Sequence, residues 1–166
     1  EDIEKWFESN VVAMLKAKSI DCRLKGVAVD NVLKKPGPVF NEIAKVAYSM
    51  GADYFYRLND DTQLTAPWAD AFVSQLKSYK EPYGVVGPAH TGGNNAILTH
   101  GFVHRTHMEI FDQVYYPPEL VDWWMDPWIT HGYGPARTQR MAAATAVHHT
   151  GHQGTRYKIN QANKNK

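Results

Sequence analysis

The chain has 166 residues, 43% hydrophobic and 21% charged, with a net charge of +1. That suits one domain with a true core and is too balanced for a general nucleic-acid binder. No apolar run is long enough to cross a bilayer, no secretory signal pattern is evident, and a lone Cys22 excludes an internal disulfide framework or a Cys-rich metal site. The charge is uneven: residues from Arg137 onward carry six basic and no acidic side chains, against 12 basic and 17 acidic before it. Such a stretch suits an anionic ligand, or equally a solvated tail. The sequence reads as a single domain over 1–158 with a polar basic tail at 159–166.

In chain order, Ile3, Trp6, Phe7, Val11, Met14 and Leu15 fall at helical spacing. Gly26-Val27-Ala28-Val29-Asp30 is a short strand candidate ending in an acid. Pro36-Gly37-Pro38 breaks the chain, and a second helix places Phe40, Ile43, Ala47 and Met50 on one face until Gly51 stops it. A strand over Asp53 to Leu58 follows. Thr65 and Pro67 then start a helix with Trp68, Phe72 and Leu76 inward. Gly84 to Gly87 is another buried strand. This alternation of helix and strand predicts an α/β layer with a mostly parallel central sheet flanked by helices.

The second half is less regular. It contains a Gly/Asn loop from Gly92 to Asn95, a strand near Ile97 to Thr99 and a helix around Thr106 to Phe111. Pro117-Pro118, an aromatic segment from Trp123 to Trp128 and a strand over Ala143 to His148 complete it.

The informative stretch is Asn59-Asp60-Asp61, where an apolar strand ends in an amide and two adjacent carboxylates. Ligands collect at the carboxyl ends of parallel strands, and Asp30 ends the preceding candidate strand in the same way. Carboxylates without nearby cysteines suit a hard cation such as Mg²⁺ or Mn²⁺. Turn and helix capping is the competing role, one that Asp performs well.

The segment GADYFYRLNDDTQLTAPW resembles the acidic metal-binding segment of the GT-A class of nucleotide-sugar glycosyltransferases. Four further segments follow in that family's order. GPVFNEIAKVAYSMGADYF resembles the donor-side helix and strand, and GVVGPAHTGGNNAILTHGFVHRTHMEIF the acceptor-side strand, loop and helix. YYPPELVDWWMDPWITHGYG resembles the segment with the catalytic carboxylate, and VHHTGHQGTRY the closing segment that supplies a metal-binding His. The resemblance implies a Rossmann-like GT-A fold. It also implies a metal-dependent transferase that moves a sugar from a nucleotide sugar, expected to be a UDP-sugar, to a carbohydrate acceptor, with inversion by analogy.

Carried over residue by residue, the resemblance makes Asp61 the direct ligand of Mn²⁺ or Mg²⁺. It puts Asp60 and Asn59 at the donor ribose or the metal's water shell, and Asp30 and Asn41 at the donor, unless these two are turn and cap residues. His148, His149 and His152 are available as a further metal ligand. Alternation along a strand sends His148 and His149 to opposite faces, and His149 is the expected ligand. Arg156 would grip the diphosphate. His104 and His107, at helical spacing, are assigned to solvent or local hydrogen bonds and, with His100, are left out of the metal site.

The general base falls at Asp126. Where relatives carry a second acid, this chain has Pro127, which is expected to push Asp126 toward an extended backbone. Either Asp126 alone serves, or the base is lost and the domain is a non-catalytic scaffold or binding subunit. Trp123, Trp124 and Trp128 offer a stacking surface for an acceptor sugar or belong to the core. The chain opens on a helix where the family opens on a nucleotide-binding strand. A shortened domain, with a partner domain or subunit completing the sheet, is therefore expected.

Overall fold

The computed structural model describes residues 3–20, 22, 24–91 and 94–149. Contacts divide the chain into two compact units, Glu1–Asp30 and Asn31–Lys166. The first holds α1 (Ile3–Phe7) and α2 (Ala13–Ala17), joined by a π-helical stretch at Glu8–Val12. The expected strand over Gly26 to Asp30 is irregular chain instead. Strands exist by pairing, and among the described residues none pairs with this segment.

The second unit carries the rest. In order these are α3 (Pro36–Ser49), β1 (Tyr54–Tyr56), β2 (Thr62–Leu64), α4 (Ala69–Ser78), β3 (Val85–Thr91), β4 (Phe102–His104), α5 (Thr106–Ile110), α6 (Met125–Gly132) and β5 (Thr138–His148). Pro36 occupies the first turn of α3, where a missing N–H costs nothing, and Gly51 at φ +82° ends it. No helix among the described residues is long and apolar enough to cross a membrane.

The sheet overturns the expectation of a mostly parallel, Rossmann-like GT-A layer. Its order is β1-β4-β3-β5-β2, and only β3 with β5 is parallel. The pairs β1–β4, β4–β3 and β2–β5 are antiparallel, and the sheet curls strongly into a half-barrel. Two three-residue strands cause the difference. β2 follows β1 through a tight turn rather than a helix, and β4 comes back beside β1. A pattern of alternating helices and strands cannot register such short insertions. The expected strand at Ile97 to Thr99 is also replaced. Leu98 N–H bonds the Thr130 hydroxyl at 2.8 Å rather than a neighbouring strand, and the pairing strand lies beyond it at β4.

Period-two alternation sorts the sheet's side chains to two cores. Phe55, Val85 and Val103 join Ala44 of α3, Met108 of α5 and Met125 and Ile129 of α6 on one face. Tyr54, Tyr56, Val86 and Phe102 meet Phe72 and Leu76 of α4 on the other. Between Pro88 and Ala89 the β3–β5 register slips, from Met141 to Thr145. Beyond this bulge, Ala146 and Val147 of β5 lie between β3 on one side and β2 on the other.

Candidate functional site

The end of β1 turns back at once. Thr62 N–H bonds Asn59 C=O at 3.2 Å, closing a turn over Asn59-Asp60-Asp61-Thr62, and β2 starts there. The acids thus do form a turn, but the turn is also held against β5. Thr62 is the registered partner of His148, and His149 N–H bonds Asp61 C=O at 2.8 Å.

This pairing brings His148 Nε2 to 2.8 Å from Asp61 Oδ1 and 3.3 Å from Asn59 Nδ2. The His149 ring goes elsewhere, 3.0 Å from the Gln63 amide oxygen. Alternation along β5 does separate the two rings, and it is His148 that meets Asp61. Asp60 is exposed in the turn. Arg156 and His152 lie outside the described residues. Asp30 belongs to the first unit and is exposed there, in irregular chain.

Asn41 is engaged by the fold itself. Its carboxamide oxygen accepts Tyr115 N–H at 3.0 Å and Tyr116 N–H at 2.8 Å, and its nitrogen donates to Tyr116 C=O at 2.9 Å. It bolts α3 to the segment leading toward α6. Lys35 adds an ion pair to the buried Asp122 at 2.5 Å, and Gly37 N–H bonds Val121 C=O at 2.9 Å. The segment before Asp126 is therefore fixed along its length by the start of α3.

Asp126 lies in the first turn of α6, helical rather than extended. Pro127 is tolerated because the first turn needs no donor from that position. Asp126 C=O accepts the Thr130 hydroxyl at 2.6 Å, and its carboxylate pairs with the Arg57 guanidinium. Burial pushes the Asp126 carboxyl above its ordinary range, against the pull of Arg57. Just before it, Trp124 sits at φ +69° with its residue 46% exposed. Trp128 packs against the main core beside Phe111 and Tyr116.

Three residues without a role in the sequence reading join this group. Arg57, one residue beyond β1, donates to Asn59 Oδ1 and to Tyr116 Oη, each at 3.1 Å, besides pairing with Asp126. His90 and His100 lie behind the turn. The Thr99 hydroxyl is 2.6 Å from His90 Nε2 and 3.3 Å from His100 Nδ1, and Thr62 Oγ1 is 2.9 Å from His100 Nε2. Burial, reinforced by Arg57, lowers His100 to about 3, and burial lowers His90 as well. The one sequence signal for them was a polar residue inside an apolar run: Arg57 after Tyr-Phe-Tyr, and His90 at the end of a buried strand. His107 is also buried, but within the core, between Tyr133 Oη at 2.6 Å and Tyr115 C=O at 2.9 Å.

A divalent cation would find Asp61 and His148 as a carboxylate and an imidazole side by side, a fair pair for Mn²⁺. Among the described residues no group of three or more His, Cys, Asp or Glu is assembled as a metal cage. Mg²⁺-like ions are commonly held by only one or two carboxylates, with water and substrate phosphate filling the remaining positions. The pair therefore fits an ion shared with a phosphate ligand better than a closed structural site. Comparison with protein-family models, curated proteins and solved structures finds no match for this chain.

Proposed function

We propose that the chain is a metal-dependent glycosyltransferase domain, using a nucleotide sugar, by its resemblance a UDP-sugar, and a carbohydrate acceptor, with inversion at the transferred carbon. The observation that carries this reading is the convergence of Asn59, Asp61 and His148 with the carboxylate of Asp126 through Arg57. A cation-binding pair and a candidate base, from three distant stretches of sequence, thus form one linked group.

In this reading Asp61 and His148 hold the cation, Mn²⁺ or Mg²⁺, which would offset the charge growing on the departing diphosphate. Asp126 accepts the proton of the acceptor hydroxyl as that oxygen bonds the anomeric carbon. The bond from that carbon to the diphosphate oxygen breaks, and its electron pair leaves with the nucleotide. Trp124 offers an exposed apolar face beside Asp126 on which a pyranose ring can stack. A partner domain or subunit would extend the sheet at an edge strand, β1 or β2.

A second reading, a binding scaffold without turnover, draws on Pro127, which stands where the resembled family carries a second acid. Release of UDP from a panel of UDP-sugars, with Mn²⁺ and mixed oligosaccharide acceptors, separates the two. Release that needs Mn²⁺ and is lost in Asp126→Asn supports transfer. Binding of Mn²⁺ and UDP without release supports the scaffold.

A further inference from the structure

Arg57 is the least expected member of the site, and its surroundings are unusually complete. Its side chain is only 8% exposed, while that of its partner Asp126 is 29% exposed. Arg57 is thus the more deeply buried of the two. Nε donates to Tyr116 Oη, one Nη to Asn59 Oδ1 and the other to Asp126, and the guanidinium stands 5.0 Å from the Phe40 ring centroid. Its own N–H is fixed to Gly101 C=O at 3.2 Å.

Buried ion pairs are seldom the most stable choice for a core, since packed apolar groups often do as well or better. Here the donors are also divided among three different elements of the site. A planar guanidinium can do this, while an ammonium, with one nitrogen, cannot span the same partners.

Resting on the reading above, we propose that Arg57 is a positioning residue: it aims the Asp126 carboxylate and couples it through Asn59 to the His148–Asp61 pair. It acts through those groups and does not itself meet the transferred sugar. The groups that face Asp126 agree with this division of labour. Arg57 at the end of β1 favours the ionised carboxylate, as does His148 on β5 when charged, and Tyr115 and Tyr116 lie on the remaining side. Burial acts the other way, so Arg57 is the main influence keeping Asp126 able to accept a proton.

The test uses the whole chain labelled with ¹³C at aspartate carboxyls, the Asp126 signal being assigned by its loss in Asp126→Asn. In Arg57→Gln the Asp126 titration midpoint should rise by about one pH unit or more. In Arg57→Lys, which keeps the charge but not the fork, the midpoint should stay near wild type. Mn²⁺ affinity of that variant, read by the electron paramagnetic resonance of the free ion, should fall by about tenfold. An unmoved midpoint in a folded Arg57→Gln overturns the proposal. If that variant does not fold, wild-type Mn²⁺ affinity in Arg57→Lys overturns it instead. The titration needs neither donor nor turnover. If wild type binds no Mn²⁺ even with UDP present, the glycosyltransferase reading fails while the Asp126 shift still decides the role of Arg57.

Discussion

His148 Nε2 lies 2.8 Å from Asp61 Oδ1 because β2 and β5 pair antiparallel with Thr62 opposite His148. The ladder itself, rather than a flexible side chain, sets the two groups side by side. If they share a cation, His148→Ala should weaken Mn²⁺ binding by about tenfold or more. His149→Ala removes a ring directed at Gln63 and should change binding by less than about twofold. Titration of free Mn²⁺ by its electron paramagnetic resonance signal measures both.

Gly37 is fixed by close approach rather than by an unusual φ. A Cβ there would lie 2.4 Å from Leu120 C=O and 3.0 Å from Val121 Cα, both backbone atoms. Gly37→Ala should therefore push the 120–121 segment away and cost about 2 kcal/mol or more in chemical denaturation. Gly132→Ala, at the end of α6 with nothing within 4 Å of the added carbon, should be neutral or stabilising by less than about 1 kcal/mol.

Asn41 satisfies two backbone donors and one backbone acceptor of Tyr115 and Tyr116. Asn41→Ala leaves them without that partner, and the expected loss is about 2–3 kcal/mol of stability. Because the same segment leads to Asp126, turnover should fall along with thermal stability. A variant with wild-type stability and selectively lost UDP affinity would instead make Asn41 a donor contact.

Burial holds His107 to about 4 and His100 to about 3, both below the ordinary 6.5. The unfolded chain takes up these protons near 6.5, while the folded protein resists them until much lower pH. Stability is therefore full above 6.5 and is lost as pH falls below it, by up to about 1.4 kcal/mol per pH unit for each histidine. Urea midpoints measured from about pH 7 to about pH 5 should fall, and His107→Gln should flatten that slope while lowering stability at neutral pH.

Long periodic segments were legible in the sequence. The inward face of α4 and the apolar runs of β1, β3 and β5 carry their own signals, whereas on α3 the expected face included Ile43 and Met50, which are exposed, and missed the buried Ala44. The sheet's direction was not, because β2 and β4 are three residues each and are defined by partners far along the chain. The acidic turn was visible as residues, yet its meaning depends on His148 arriving from β5. Adjacency of His148 and His149 left two choices that only the register resolves. Arg57 and His100 were hidden for a similar reason, since their roles come from Tyr116, Asp126, Thr99 and Thr62, none of which is a sequence neighbour of Arg57 or, Thr99 apart, of His100.

The most direct test of the shared-cation site is calorimetric titration of UDP into the whole chain, with Mn²⁺ and then with EDTA. It is run on wild type, Asp61→Ala and His148→Ala. Binding that requires Mn²⁺ and is abolished in both variants is the result expected of a cation held between Asp61, His148 and a diphosphate. Folded wild-type protein that binds no UDP under either condition, or variants that bind it as wild type does, would contradict that account.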